Sequence, residues 1–300
     1  MKIQQITIIG AGLIGGSLAL ALKRSRFPGR VVGCDKGEVL ERAQARGAID
    51  AGIADPVQAV AGSDVVVLAA PVGQIMDLLE RIGPRLAPQA LMTDVGSTKV
   101  EILARARAVF GAESPRRFLG GHPMAGKEHS GIEHADAELF QGAPWIFTPQ
   151  PGQNVGQGLC GEFLELVKRV GAKPVLLDAE RHDRLCAWVS HLPQMVATAL
   201  AAAIEEEFGD DSELQAVSGR ALSDMTRLAA SPYAMWRDIA LTNTANIEAA
   251  LAKLEQKLAH IRENLKTVEL REEFEKAREF KDATETPFDS AQGRLRHREK

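Results

Sequence analysis

The segment GGHPMAGKEHSG, residues 120–131, combines two histidines with four glycines and has few side chains that could fill a hydrophobic core. His122 is its strongest candidate for chemistry, because an imidazole with a reference pKa of about 6.5 exchanges protons readily near neutral pH. The surrounding glycines would let a substrate approach it closely. A histidine that only caps a turn is the alternative, and spacing alone leaves both interpretations open.

Other polar and apolar groups follow neighbouring apolar runs. Ser97, in GSTK at 96–99, could orient a substrate or His122, or could cap the next helix, and we assign Thr98 and Lys99 to capping. Pro71 follows DVVVLAA and begins an apolar shelf suited to a flat ring. Because ligands of open parallel sheets bind beyond the carboxyl ends of the strands, we expect these groups to face one crevice.

A glycine fingerprint near the amino terminus indicates a dinucleotide. Asp35 ends the second apolar run, 20 residues past the last fingerprint glycine, where a carboxylate can bind an adenosine ribose. A carboxylate repels a 2′-phosphate and so favours NAD, whereas the adjacent Lys36 keeps NADP possible. A tight turn that binds nothing is the alternative. The predicted cofactor contacts of the loop are Gly10, Gly12, Leu13, Ile14 and Gly15.

Charged residues in the second half suggest an anion site. Arg220, Asp224 and Arg227 are spaced i, i+4, i+7 and would share one face of a helix. Such a pattern is either a surface ladder of salt bridges or a receptor in which a guanidinium holds a substrate carboxylate. Charge alone does not choose between them.

The elements that position these groups change in kind near residue 178. Up to that point β-branched runs alternate with helical patterns, which predicts an α/β fold with a Rossmann-type, mainly parallel sheet. The predicted strands are 6–10, 31–35, 64–70, 91–96, 117–121, 144–149 and 173–178.

From 179 to about 281 the pattern predicts an all-α domain for substrate and dimerisation. We expect helices at 179–208, with the apolar stretch 195–204 deeply buried, at 213–229, and from Ser231-Pro232 onward. Apolar residues from Ile247 to Val268 recur at heptad spacing, which is typical either of an intramolecular seam or of a homodimer. Residues 282–300 are polar and aperiodic, and are expected to form a flexible tail.

Composition and net charge limit the kinds of partner that the protein is expected to bind. A formal net charge of −4 argues against nucleic acid and anionic membranes, and no apolar run approaches the about 20 residues of a membrane span. Three widely spaced cysteines and the absence of a secretory pattern predict a cytoplasmic protein. We expect no metal: His129 and His134 match no ligand template, and His182, His260 and His297 are assigned to polar faces or the tail.

Taken together, the motifs resemble the prephenate/arogenate (cyclohexadienyl) dehydrogenase family of tyrosine biosynthesis. The resemblance covers about residues 3–270. It rests on GAGLIGGS at 10–17, DVGSTK at 94–99, GGHPMAG at 120–126, SHLP at 190–193, DMTRLAAS at 224–231 and MWRDI at 235–239.

The resemblance implies a substrate that is a cyclohexadienol with two carboxylates. Hydride would pass to NAD⁺ while CO₂ leaves and the ring becomes aromatic. His122 would take the hydroxyl proton, and Ser97 would hold that hydroxyl or the nicotinamide side. Arg227 would grip a carboxylate, Asp224 and Trp236 would shape the pocket, and Glu128 would gate it.

The sequence departs from the family pattern at two places. Gln194 follows SHLP where many relatives have histidine, and the glycine-rich run before Asp224 is shortened to Ser218-Gly219. Both departures leave the choice between prephenate and arogenate open. A β-hydroxyacid dehydrogenase is an alternative, although residues 179–250 lack the lysine that such enzymes usually place on the helical domain. A non-catalytic NAD-binding dimeric sensor is another.

Overall fold

The computed structural model describes residues 2–127 and 129–285. Its contacts group the chain into one unit through Ile247 and a second that begins at Glu248. The first unit contains the whole sheet and most of the helices. The predicted division of domains between residues 178 and 179 stays a prediction.

One eight-stranded sheet organises the first unit. Its spatial order is β3-β2-β1-β4-β5-β6-β7-β8, and every neighbouring pair is parallel except β6 and β7. The seven predicted strands are present, and a two-residue strand, β3, is added at one edge. The strands are β1 (Gln5–Ile9), β2 (Arg30–Cys34), β3 (Ala51–Gly52), β4 (Val65–Leu68), β5 (Leu91–Asp94), β6 (Phe118–Pro123), β7 (Pro144–Thr148) and β8 (Lys173–Leu176).

Helices cover both faces of this sheet. Along β4, Val65 and Val67 belong to one hydrophobic cluster and Val66 and Leu68 to another, and all four are fully buried. A strand buried on both faces explains the continuous apolar run in the sequence. The helices within this half are α1 (Leu13–Arg24), α2 (Gly37–Ala45), α3 (Pro56–Ala59), α4 (Val72–Ile82), α5 (Val100–Phe110), α6 (Ser114–Arg117) and α7 (Gly158–Arg169).

After β8 the described chain is helical. A continuous 30-residue helix comprises α8 (Ala179–Cys186), a π-helical stretch (Ala187–His191) and α9 (Leu192–Phe208). The predicted helix at 213–229 is interrupted: α10 (Ser212–Val217) ends before Gly219, and α11 (Arg220–Thr226) is followed by a 3₁₀ turn, Arg227–Ala230. Then come α12 (Tyr233–Thr242), capped by Pro232 rather than Ser231, α13 (Thr244–Glu263) and α14 (Val268–Glu285).

The expectation that residues 195–204 are deeply buried is wrong for the single chain. Ala199, Ala202 and Ala203 are exposed, whereas Ala197 is buried. The 30-residue helix is also long and apolar enough to pass a length-and-composition test for a membrane span, with a mean hydropathy of 1.2, although the sequence analysis found no such run. Its first turns bury His182 and Asp183 within the first unit, whereas only 33% of its apolar window is buried in the single chain.

The heptad pattern from Ile247 to Val268 does not run along one helix. The chain leaves the helical conformation between Glu263 and Val268, and Leu258 is 56% exposed. Within the second unit an ion pair of 3.0 Å joins Lys257 on α13 to Glu273 on α14. α14 continues to Glu285, four residues into the predicted tail; the remainder of that tail lies outside the described residues.

Candidate active site

Two glycines shape the loop between β1 and α1. Gly10 has a φ of +97°, and a Cβ there would lie 2.1 Å from the carbonyl oxygen of Ala69. At Gly15 a Cβ would lie 1.9 Å from the carbonyl oxygen of Gly10. No described side chain caps α1 at Gly12, so its first amides are available to a pyrophosphate. The residues present therefore fit a dinucleotide.

Asp35 lies where a ribose would be expected. It directly follows β2, and its carboxylate accepts the amide protons of Ala11 at 2.8 Å and Lys36 at 2.7 Å. These bonds fix the carboxylate against the glycine loop. The groove beside it also contains Lys36, Gln74 and Arg81. Cys34, at the end of β2, is buried and forms no disulfide.

A second cleft opens at the carboxyl ends of β4 and β5. The sheet order reverses between β1 and β4, which is the place where open α/β sheets bind ligands. The start of α1, the predicted shelf at Pro71, Ser97 and α12 all contribute to the cleft. Among the described residues, its lining does not include His122 or Arg227. It includes Leu13, Ile14, Pro71, Val72, Ser97, His129, Ser231 and Met235.

His122 lies near the end of β6 and is 8% exposed. Its Nδ1 is 2.9 Å from Nε2 of His182, on α8. Burial, followed by the nearby His182 and Lys99, lowers the pKa of His122 well below 6.5. The imidazole is therefore neutral around pH 7 and able to accept a proton.

The neighbours of His122 also decide which of its nitrogens is free. Nδ1 of His182 lies 2.7 Å from the Asp183 carboxylate, which can only accept, so this nitrogen carries the proton. In the tautomer in which Nε2 of His182 accepts the Nδ1–H of His122, a hydrogen bond of 2.9 Å joins the two rings. The Nε2 of His122 is then left with a lone pair. In this arrangement the chain from Asp183 through His182 leaves one nitrogen of His122 able to accept a proton.

A second buried pair fixes the loops around the histidine. The ammonium of Lys99 contacts the Asp94 carboxylate and donates to the carbonyl oxygen of Gly121 at 2.7 Å. Asp94 also accepts the amide proton of Gly121 at 3.0 Å. Burial lowers the pKa of Lys99 from its ordinary value, although Asp94 opposes that shift. The pair ties the end of β5 to the strand that carries His122.

Carboxylates from the helical segment cap two helices that follow sheet strands. Asp183 accepts the amide protons of Lys99 at 2.7 Å and Val100 at 3.0 Å, at the start of α5. Asp238, on α12, accepts the amide proton of Gly73 at 3.0 Å, at the start of α4. A carboxylate at a helix amino terminus is stabilised by the exposed amides. These two contacts place α8 and α12 over the carboxyl edge of the sheet.

The structure places the proposed substrate residues on the helical segment with different exposures. Arg220, Asp224 and Arg227 are exposed, and they do not share one α-helix, because α11 ends at Thr226. Gln194 is 4% exposed and donates from Nε2 to the carbonyl oxygen of Leu228 at 2.8 Å, in the turn that begins with Arg227. Glu128 lies outside the described residues.

Three buried polar atoms near that turn make no hydrogen bond within the described part of the chain: Nε2 of His191, Oε1 of Gln194 and Nε1 of Trp236. The rings of His191 and Trp236 meet edge to face at 5.9 Å. Asn243 donates to Nδ1 of His191 at 3.1 Å, so Nε2 carries the proton. Two donors and one acceptor are thus left for a ligand, which is a common sign of a binding site.

Sequence reasoning missed part of this arrangement. The assignments of His182 to a polar face and of Lys99 to capping alone are wrong, because both side chains are fully buried. Asp94 was detectable, since it ends a strand at the same edge as Ser97. Asp183 was not, because its partners at 99 and 100 are more than 80 residues away in sequence. His129 and His134 are exposed, as expected.

A doubly covered parallel sheet, a glycine loop at its switch point and a neutral buried imidazole define a dinucleotide-dependent oxidoreductase. Family models agree. Residues 18–176 match the model described as prephenate dehydrogenase, nucleotide-binding domain, and residues 178–280 match prephenate dehydrogenase, dimerization domain. The chain belongs to the prephenate dehydrogenase family and is an oxidoreductase that carries out NAD-dependent oxidative decarboxylation.

Individual relatives are similar over most of the chain. A prephenate dehydrogenase of Lactococcus lactis is 34% identical, over 87% of this chain and 70% of its own length. A cyclohexadienyl dehydrogenase of Zymomonas mobilis is 33% identical, over 80% of this chain and 81% of its own. The crystal structure of prephenate dehydrogenase from Aquifex aeolicus with hydroxyphenyl propionate and NAD⁺ has a TM-score of 0.81 and 31% identity, covering 95% of this chain and 96% of its own.

Proposed function

We propose that the chain acts on prephenate, arogenate or both, and that His122 is the general base. The observation that carries this proposal is the buried chain from Asp183 through His182 to His122, which leaves Nε2 of His122 free to accept a proton. Names of relatives support the substrate class, since they include prephenate and cyclohexadienyl dehydrogenases.

In this mechanism His122 takes the proton from the ring hydroxyl while the carbon that bears the hydroxyl loses a hydride. NAD⁺, when bound at the Gly10–Gly15 loop, supplies the hydride acceptor. The ring carboxylate leaves as CO₂ and the ring becomes aromatic, so aromatisation provides the driving force. The residues mainly position the substrate and hold its proton, and Ser97 would hold the hydroxyl or the nicotinamide side.

We assign substrate carboxylate binding to Arg227. A guanidinium matches a carboxylate with two parallel hydrogen bonds, and Arg227 lies in the turn whose Leu228 carbonyl is bound by Gln194. Asp224 and Trp236 would shape the same pocket, with Glu128 at its entrance. This assignment requires Arg227 and His122 to reach a single substrate.

Gln194 is proposed to read the side chain of the substrate. Its amide nitrogen faces the Leu228 carbonyl, which can only accept, and so its buried oxygen is the free group. That oxygen can accept from the ammonium of arogenate but not from the keto group of prephenate. The donors at His191 and Trp236 suit a carboxylate. The arrangement favours arogenate.

The test is the absorbance of the reduced cofactor, with prephenate and then arogenate as substrate, each with NAD⁺ and NADP⁺. We expect reduction with NAD⁺, at a higher kcat/KM for arogenate, and weak use of NADP⁺. Cofactor binding without reduction on either substrate would instead identify a sensor and contradict the proposal.

We further propose a cytoplasmic homodimer formed through the helical segment. The exposed face of α9 contains Ala199, Ala202 and Ala203, and Trp188 is 47% exposed one turn before α9. A contiguous apolar surface of this kind is typical of an interface. Sedimentation should show a dimer that Ala203→Glu dissociates, whereas Gln89→Glu, at an exposed site on the other half, should not. A monomeric wild-type protein would contradict the proposal.

All three cysteines are free, in keeping with a reducing compartment.

A further inference from the structure

Three buried atoms that commonly bind zinc meet on the Nδ1 side of His122. They are Nδ1 of His122, Nε2 of His182 and Sγ of Cys186, and all lie within 4.8 Å of one another. The separations are 2.9 Å between the two nitrogens, 3.5 Å from sulfur to His182 and 3.9 Å from sulfur to His122. All three side chains are buried, and His122, at 8%, is the most exposed of them.

These separations match those within a zinc site. With Zn–N bonds of about 2.05 Å and Zn–S bonds of about 2.3 Å, tetrahedral geometry places two nitrogens about 3.3 Å apart and a nitrogen and sulfur about 3.6 Å apart. We propose that His122, His182 and Cys186 form an inhibitory binding site for a thiophilic divalent cation such as Zn²⁺, with a fourth position left for water. Small shifts of the side chains would complete the geometry.

The surroundings of His182 support the same conclusion independently. A histidine that binds a metal through one nitrogen usually donates its other N–H to a carboxylate, which fixes the ring and raises its basicity. Nδ1 of His182 lies 2.7 Å from Asp183, and Asp183 is itself held by two backbone amides at the start of α5. His182 is thus already oriented with Nε2 toward the cluster.

The charges of the neighbouring groups permit a cation. The ammonium of Lys99 is paired with Asp94, and both side chains are fully buried. The Cys186 thiol is buried near the Asp183 carboxylate, whose negative charge favours a cation at this position. A coordinated metal deprotonates a thiol outright, and binding would release that proton.

Binding here would inhibit the enzyme through the tautomer of His122. A metal at Nδ1 displaces the proton from that nitrogen, and a neutral imidazole must then carry its proton on Nε2. Nε2 becomes a donor and can no longer accept the substrate hydroxyl proton. This consequence rests on the proposed role of His122, whereas metal binding itself does not.

Sequence spacing did not reveal the cluster. His182 and Cys186 are one turn apart on α8, but His122 is 60 residues earlier, on β6. The expectation that no metal binds depended on His129 and His134, which lie elsewhere, and on the assignment of His182 to a polar face.

The test is titration of the purified protein with Co²⁺, read by absorption and not by turnover. We expect a thiolate-to-cobalt charge-transfer band, abolished by stoichiometric Zn²⁺. The band should persist in the double variant Cys34→Ala/Cys160→Ala, in which Cys186 is the sole cysteine, and disappear in Cys186→Ala. Loss of an outer-shell partner weakens metal binding by about 10-fold or more, so loss of the sulfur ligand should weaken Zn²⁺ binding at least as much.

Inhibition supplies the second readout. Zn²⁺ should inhibit wild type and Cys160→Ala equally, and a chelator should restore activity, while Cys186→Ala should need at least about tenfold more Zn²⁺. A cobalt spectrum without a thiolate band would overturn the proposal, as would equal Zn²⁺ affinity in wild type and Cys186→Ala. If Cys186→Ala does not fold, the spectrum of the double variant decides. Metal binding without inhibition would disprove only the proposed effect on His122 and not the metal site itself.

Discussion

His122 owes its proposed role to its surroundings more than to its own chemistry. Burial and the positive charge of Lys99 keep the imidazole neutral, and His182 binds one of its nitrogens at 2.9 Å. On a solvated loop the same histidine would have a higher pKa, and its proton would exchange between the two ring nitrogens. Burial, His182 and Lys99 therefore suit an ordinary side chain to the role of base proposed for it.

His122→Asn should lower kcat by roughly 10²–10⁴-fold, because asparagine can hold the substrate hydroxyl but cannot take its proton. Cofactor affinity should be nearly unchanged, since the glycine loop is intact. Steady-state kinetics together with NAD⁺ titration provide the measurement. The exposed His134, which lies outside the cleft, gives the matched control His134→Asn and should retain turnover. Full turnover by His122→Asn would refute its role as base.

Gln194→Leu should lower kcat/KM for arogenate by about tenfold, the usual effect of losing one hydrogen bond of about 1.5 kcal/mol to a charged group. For prephenate the change should be smaller, because its keto group gains nothing from the amide oxygen. Thr198→Ala is the control, as it removes only the second partner of the amide nitrogen, at 3.2 Å. An equal loss for both substrates would show that Gln194 does not read the side chain.

At the scale of elements, the helical segment is attached to the sheet by acids that cap helices. Asp183 bonds the first amides of α5, and Asp238 bonds the start of α4. The same Asp183 orients His182. The Asp183 side chain thus helps to fix the position of α8 and, through His182, influences which nitrogen of His122 carries the proton.

Asp183→Asn should lower the free energy of unfolding by about 1–3 kcal/mol, because an amide has one acceptor oxygen for three donors. It should also lower kcat, since His182 loses the carboxylate that fixes its proton. Denaturant unfolding and kinetics measure the two effects. Asp178→Asn, at the exposed cap of the same helix, should change stability little, because asparagine caps a helix about as well as aspartate, and should leave kcat unchanged. Loss of stability without any loss of kcat would show that Asp183 only caps α5 and does not act through His182.

Elements that depend on local sequence were predicted, and features that depend on residues distant in sequence were not. All seven predicted strands are present, because burial on both faces leaves continuous apolar runs such as Val65–Leu68. The helix break at Ser218-Gly219 and the 3₁₀ turn at Arg227 were missed, since local periodicity continues through both. The site residues that were missed depend on partners distant in sequence. His182 has the pattern of a polar surface residue, and only its contact with His122 on β6 explains its burial.

At the scale of the whole molecule, burial of neutral histidines links stability to pH. Burial lowers the pKa of His191 to about 4, and that of His122 also lies well below 6.5. In the unfolded chain both return to about 6.5 and bind protons that the folded chain does not. The unfolded state therefore gains stability as the pH falls.

The free energy of unfolding should decrease as the pH falls from 6.5 to about 4, with His191 alone contributing about 3 kcal/mol. Above about pH 7.5, where the unfolded chain has also lost these protons, the two groups should contribute no slope. Denaturant unfolding at fixed protein concentration across this range is the measurement. His191→Gln should flatten the curve, whereas His129→Gln, at an exposed site, should not. An unchanged slope in His191→Gln would mean that His191 is not held neutral.

The central claim is spatial: Nε2 of His122 and the guanidinium of Arg227 act on the same substrate. The most direct measurement is a crystal structure of this chain with NAD⁺ and hydroxyphenyl propionate, the pair bound in the Aquifex aeolicus structure. We predict that the phenolic oxygen lies within hydrogen-bond distance of Nε2 of His122 and that Arg227 contacts the ligand carboxylate. A ligand bound to only one of these two groups, with the other in a separate cavity, would contradict the mechanism.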